Sequence, residues 1–373
     1  MRINGFPSNP PPMLQLGTFS SLAARSYKNR AYFYTRRPNP WNYMPVWLNT
    51  IRRFQTSTVS TIPVGPEKYT GKSGRDYKIE KTLQEETFPP LRVCLATAGD
   101  QKFILKYIHP VNFEDLQDLN NRLLGATHVR IPQDVLPGRS MFVFEYFTGH
   151  LLRIAQYDLP LEMTKRILKD ALRGLAELHD RDIVHTDIKA DNIFIDWKGH
   201  GKDIVIDRVQ LGDLEDAAYI PPGSQIVGKQ AGNQMWRSPE AHASGPLNKS
   251  SDVFSFALVC ICAIYKRVIF AVGEEELDDG VHPLSIVIER QISYFADNDG
   301  IDGLLKHLGD SPWVQVFEVI RDGFNEENPR RPFSLWKNVD EDFKSLICAM
   351  TKLDPGKRIT AHEALAHKWF ECV

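Results

Sequence analysis

Between Tyr77 and Ile108, short runs of alternating apolar and polar residues are separated by turn residues. This period of two predicts strands over 77–83, 91–96 and 102–108, the last two joined by Ala98-Gly99-Asp100. A meander is the simplest arrangement. The period then lengthens, with Phe113, Leu116, Asn120, Leu123, Leu124 and Thr127 at helical spacing before a further strand pair ending at Met141 to Phe144. After Thr148 and Gly149 helical patterns take over. Positions 161–179 place Leu168, Ala171, Leu172, Leu175 and Leu178 on one stripe, as expected of an amphipathic core helix. Ser251 is a candidate cap for the next helix, which is apolar on all sides and so must be buried all round. Further helices are predicted over 283–296, 340–351 and 360–366. The fold class is α+β and bilobal, with a small β-rich lobe (67–147) ahead of a larger helical lobe (148–373).

The apolar run from Val253 to Tyr265 stops at Lys266 and Arg267, short of the ~20 residues a membrane helix needs, so no integral membrane segment is expected. With 373 residues, 42% apolar and 25% charged, the chain is neither wholly disordered nor a disulfide-stapled miniature. The net charge of -2 hides an asymmetry. Residues 1–66 carry eight Lys/Arg and no Asp/Glu, leaving 37 basic against 47 acidic groups in the remainder. An acidic body is a poor match for nucleic acid. Five scattered cysteines (Cys94, Cys260, Cys262, Cys348, Cys372) lack paired spacing, which argues for free thiols in a reducing, intracellular compartment rather than zinc or disulfides.

Residues 1–66 show no periodic pattern, and their Arg-rich, Ser-rich, acid-poor composition is that of mitochondrial import segments. Arg52-Arg53-Phe54-Gln55-Thr56-Ser57 also resembles a matrix-processing site. An import segment and a disordered basic tail on a protein of cytoplasm or nucleus both stay open. In either case the segment stands outside the two lobes.

Between the lobes lies Val184-His185-Thr186-Asp187-Ile188-Lys189-Ala190-Asp191-Asn192-Ile193-Phe194. This stretch resembles the catalytic loop of eukaryotic protein kinases, and its His-Thr-Asp-Ile-Lys wording is most similar to the SR-protein kinase branch. Phosphoryl transfer needs a carboxylate at the incoming hydroxyl, a cation at the transferring phosphate and an oxygen ligand for magnesium, and Asp187, Lys189 and Asn192 match those roles in order. Leu211-Gly212-Asp213-Leu214-Glu215 stands where the family has its magnesium-binding Asp-Phe-Gly, with the middle leucine that the SR-protein kinase branch also carries. The resemblance implies Asp213 as principal metal ligand. Twenty-one positions separate Asn192 from Asp213, more than usual in the family, and a longer hairpin at 197–203 would absorb the excess. Ser238-Pro239-Glu240 resembles the end of the family's activation segment. Glu240 is expected to pair with Arg358, and Asp252 matches the buried helix carboxylate that holds the catalytic-loop backbone.

The small lobe departs from the family pattern. Lys106 matches the strand lysine that grips the nucleotide phosphates, but the three glycines of the phosphate loop become Gln84, Glu86 and Pro89. Proline donates no backbone hydrogen bond, and Glu85 with Glu86 brings negative charge toward triphosphate. Phe88 alone keeps its aromatic place. Asn120 falls where a helix glutamate should pair with Lys106, and Glu114, Asp115 or Asp118 could substitute only if the helix were rotated. Glu215 replaces the glycine of the metal-binding turn, either as an extra metal oxygen or as a solvent-facing carboxylate. Thr186 replaces the arginine with which many kinases sense a phosphorylated activation segment. Carried over residue by residue, the nucleotide pocket has Leu83, Leu91 and Ile104 above the adenine, Phe144 as gatekeeper, Glu145 to Phe147 as hinge backbone and Phe194 as floor.

What the resemblance implies is a protein kinase that uses ATP and Mg2+ to phosphorylate Ser/Thr of a protein substrate. Lys189 favours the Ser/Thr class over tyrosine kinases, although Asn233 stands at that class's usual threonine. The retained Asp187, Asn192 and Asp213 favour an enzyme. Against it, the lost glycines, Asn120 and Glu215 favour a pseudokinase, a binding or scaffold module with little or no turnover.

Overall fold

The structure is a computed structural model that describes residues 68–373 apart from positions 88, 89, 200, 229, 278, 279 and 372. The expectations for residues 1–66, for Phe88 and Pro89, and for the thiol of Cys372 lie outside the described residues.

In the small lobe, β1 (Lys68–Thr70), β2 (Asp76–Thr87), β3 (Pro90–Ala98), β4 (Gln101–Tyr107), β5 (Asp134–Leu136) and β6 (Met141–Glu145) form one antiparallel sheet in the order β1-β2-β3-β4-β6-β5. The predicted meander is there, extended at its edges by β1 and β5. Alternation along β4 sends Phe103 and Leu105 to one face, where they are buried with Tyr77, Cys94 and Val143. Ile104 and Lys106 take the other face, directly opposite Phe144 and Phe142 of β6. On that face helix α1 (Pro110–Arg122) packs Phe113 and Leu116 against Phe142, the two phenylalanine rings stacked 4.8 Å apart. Lys106 is therefore presented to the cleft by the period of the strand.

Helix α1 stops at Arg122, earlier than the apolar spacing predicts. Gly125 adopts a left-handed backbone (φ 87°) that ends the helix, so Leu123 leaves it and is buried in the large-lobe core while Leu124 is exposed.

The large lobe begins with β7 (Gly149–His150), α2 (Leu151–Ile154) and α3 (Leu161–His179). On α3 the expected stripe is fully buried. Strands β8 (Ile183–Val184), β9 (Ile193–Lys198), β10 (Val205–Leu211) and β11 (Ala218–Tyr219) follow, and the β9/β10 hairpin carries the extra length that the spacing required. Short α4 (Pro239–His242) precedes α5 (Lys249–Tyr265), which is buried continuously from Ser251 to Ala263. Its cap is Asn248, not Ser251: Asn248 Oδ1 accepts from Ser250 N at 2.9 Å, because the chain enters the helix one residue after Asn248. Ser251 lies inside the first turn and bonds Ser238 Oγ at 2.9 Å instead. Helices α6 (Pro283–Phe295), α7 (Asn298–Leu308), α8 (Trp313–Asp322), α9 (Glu341–Met350) and α10 (Ala361–Leu365) complete the lobe. Of these, α7 and α8 have no counterpart in the pattern read from sequence. No helix among the described residues is long and apolar enough to cross a membrane.

Glu240 and Arg358 close the large lobe as expected, at 2.5 and 2.8 Å in a two-pronged contact with both side chains buried. The remaining guanidinium donors reach Lys352 O (2.6 Å), Leu353 O (3.1 Å) and Ser250 O (3.2 Å). All five arginine N–H groups are thus engaged, the condition under which a buried ion pair offsets its desolvation. Burial pushes the Glu240 carboxyl upward, but Arg358 outweighs it and holds its pKa below the ordinary value. The pair's contribution is therefore present at neutral pH and lost as acid protonates Glu240. Arg358→Ala leaves that carboxylate buried and alone, at a cost of about 3 to 5 kcal/mol, or roughly 10 °C in melting temperature. Differential scanning fluorimetry of the nucleotide-free protein checks this, and an unshifted curve would refute the pair's structural weight.

Candidate active site

The loop between β8 and β9 is shaped by a single buried carboxylate. Asp252, in the first turn of α5, accepts from His185 N (2.8 Å), Thr186 N (2.9 Å) and His179 Nε2 (3.0 Å). Those bonds hold Thr186 in a left-handed conformation (φ 65°), and the chain turns so that Asp187 faces the cleft.

There Asp187 is converged upon from three sides. Its Oδ1 accepts from Asn233 N at 2.9 Å, its other oxygen is ion-paired with Lys189, and Asn192 Nδ2 donates to its carbonyl at 2.9 Å. Asp187, Lys189 and Asn192 are brought together as the sequence predicts. Gly232 is essential to this convergence. Its φ is 81°, and an added Cβ would lie 2.4 Å from Thr186 O, so only glycine lets the activation segment approach the loop. Thr186, standing where an arginine would sense phosphate, gives a neutral hydrogen bond to Asp216 O at 2.8 Å.

Asp213 likewise has a left-handed backbone (φ 65°), and its Oδ1 lies 2.6 Å from Lys106 Nζ. The second partner of Lys106 is Glu215, whose Oε1 lies 2.7 Å away. This corrects two expectations. Asn120 does not meet Lys106, since its side-chain amide bonds Leu116 O one turn back at 2.7 Å. Glu114, Asp115 and Asp118 are exposed on α1, so helix rotation does not supply the counter-ion. Glu215 is 41% exposed on its side chain, yet its carboxylate is turned to Lys106 rather than left to solvent alone. The charge missing from α1 is supplied from the turn at 213–215, a compensation legible only as absence of glutamate at 120 with presence of glutamate at 215.

Burial works against the Lys106 cation, yet Asp213 and Glu215 outweigh it and raise its pKa. Burial pushes Asp213 up, but Lys106 holds it below the ordinary carboxylate value. For Glu215 burial prevails and its pKa is raised, as befits the second carboxylate on one cation. Magnesium fits this donor set: Asp213 and Glu215 present carboxylate oxygens, and Asn192 spends its amide hydrogens on Asp187, leaving Oδ1 as a ligand atom.

Above the loop, Leu91 and Ile104 are half-buried in β3 and β4, while Leu83 falls at a bulge in β2 and is exposed. Phe147 and Phe194 meet edge to face at 6.0 Å. The hinge carries two arginines that sequence reasoning missed. Arg208 is ion-paired with the Glu145 carboxylate, and Arg130 donates to Glu145 O at 2.7 Å. Neither belongs to a motif, so no local signal marks it.

A β-sheet lobe and a helical lobe with this loop between them define a protein kinase fold. A model of the protein kinase domain matches residues 129–370, and the chain belongs to that family. A family of this kind implies ATP, usually with Mg2+, and protein substrates. The match begins at Val129, beyond the strands and helix where the family's residues are missing. The chain is also similar to a probable serine/threonine-protein kinase, PBL4 of Arabidopsis thaliana, with 24% identity over 264 residues, 69% of this chain and 53% of that protein. It thus spans about half the length of this curated relative.

The shared lysine generates a stability prediction. Lys106→Met leaves Asp213 and Glu215 without their cation, and adding Glu215→Gln is expected to recover roughly 1 kcal/mol, a modest figure because the groups are partly exposed. Urea unfolding of the two single variants and the double variant measures the coupling, and additive losses would dissolve the triad.

Proposed function

We propose that the chain is a serine/threonine protein kinase of the SR-protein kinase type, transferring the γ-phosphate of Mg-ATP to a protein hydroxyl. The observation that carries this reading is the convergence of Asn233 N, Lys189 and Asn192 on Asp187. Asp187 would orient the substrate hydroxyl and accept its proton, with Asn233 N fixing one carboxylate oxygen. Lys189, beside it, would stabilise charge on the transferring group. Asn192 and Asp213 would hold magnesium, which supplies charge neutralisation at the phosphates when bound. Lys106 would position the phosphates from the strand above. The serine/threonine class is supported by Lys189 and by the printed name of the plant relative.

A pseudokinase is the second reading, and it has specific support. The β2/β3 hairpin pairs as far as Thr87 and Pro90, without glycine at 84 or 86, and the hinge carbonyl of Glu145 already has a donor. Phosphotransfer from labelled ATP with magnesium separates the two. Wild type is expected to transfer slowly, and Asp187→Asn, which keeps shape but removes the base, should lose at least about a hundredfold. Equal residual signal in both proteins would overturn the enzyme reading.

A further inference from the structure

Arg130 is a cation with almost no contact with solvent. Its backbone N–H donates to Leu211 O at 2.7 Å and Val129 bridges Leu211, which pins it beside the strand that leads into Asp213. From there the side chain reaches into the cleft. Its guanidinium carbon lies 4.4 Å from the centre of the Phe194 ring, 4.7 Å from Phe144 and 5.5 Å from Phe147. One terminal nitrogen donates to Glu145 O at 2.7 Å. Gly212 makes the room, since a Cβ there would lie 2.9 Å from the Arg130 Cβ and 3.0 Å from the Phe194 ring.

These surroundings are the ones assigned, from sequence, to the nucleotide base: Phe144 as gatekeeper, Phe194 as floor and the Glu145 backbone as hinge. A purine needs two apolar faces and an acceptor for its amino group. A guanidinium is also flat, also stacks on aromatic rings and also donates to a carbonyl. We propose that Arg130 is an internal occupant of the base site. Its guanidinium takes adenine's place between Phe144 and Phe194 and claims the Glu145 carbonyl, so that ATP enters only when Arg130 withdraws. Arg130 thereby sets the nucleotide affinity of the chain.

The rival account is a purely structural buried cation. Such a residue has its donors satisfied, as all five of Arg358 are. Arg130 Nε is buried without a hydrogen-bond partner among the described residues, and burial lowers its pKa to about 10, so it remains charged in a site that serves it incompletely. Arg208 meanwhile holds the hinge from the other side, through the Glu145 carboxylate and a 4.2 Å approach to the Phe147 ring. The hinge can stay in place while Arg130 leaves.

The inference rests on the kinase reading of the cleft but not on catalysis, and its test is a binding measurement. Calorimetric titration of the full chain with adenosine, which is uncharged, reports on the base site without the phosphates. Arg130→Met is expected to tighten adenosine at least tenfold over wild type and to tighten Mg-ATP in the same direction. Equal or weaker adenosine binding by the folded variant would overturn the proposal. So would weaker ATP binding, because loss of a cation weakens ATP only if that cation serves phosphate. Should Arg130→Met not fold, Arg130→Gln carries the same criterion. A variant that binds adenosine tightly yet transfers no phosphate would count against the proposed activity and leave this inference standing.

Discussion

The carboxylate of Asp252 is the interaction on which the site depends. It stands in the first turn of a helix that is buried from Ser251 to Ala263 and mostly apolar, where a buried carboxyl group needs hydrogen-bond partners. Three donors meet it, two of them backbone N–H groups of consecutive residues. Those two bonds hold the left-handed turn at Thr186, which directs Asp187 into the cleft and brings Thr186 O against Gly232. Loop, activation segment and helix are thus fixed by one residue. Glu240 and Arg358 secure the far side of the same segment.

Across the cleft the balance of charge has moved without being lost. Lys106 faces two carboxylates, both from the turn that follows β10, and none from α1. With no ion pair to Lys106, α1 covers Phe142 with Phe113 and Leu116 and sends Leu119 into the large-lobe core, while Asn120 bonds the helix backbone and Arg122 lies 4.1 Å from the centre of the Tyr219 ring. The link between the small-lobe strand and the turn at 213–215 becomes direct. Any change in the placement of Glu215 is therefore felt at Lys106.

The charges of the cleft also close on one another. Lys189 is held by Asp187, Lys106 by Asp213 and Glu215, and Arg208 by Glu145, while Arg130 lies among aromatic rings. The groups proposed to serve phosphates and base have internal partners in this structure. A nucleotide bound as proposed would have to compete with those partners, and this is the sense in which enzyme and pseudokinase are neighbouring readings of one site.

Much of this was legible in the sequence by itself. Period-two alternation placed Lys106 on its strand, the apolar stripe predicted α3, and the ordered spacing of Asp187, Asn192, Asp213, Glu240, Asp252 and Arg358 identified the family. Such features are local or follow a fixed order, so one dimension is enough to carry them. Tertiary structure decided the rest. The end of α1 depended on the backbone of Gly125, and the cap of α5 on where the chain enters the helix. The partner of Lys106 and the presence of Arg130 between Phe144 and Phe194 depended on which groups meet across the cleft. Contacts of that kind join residues far apart in the chain through distance and desolvation, and no periodicity or motif in the sequence encodes either quantity.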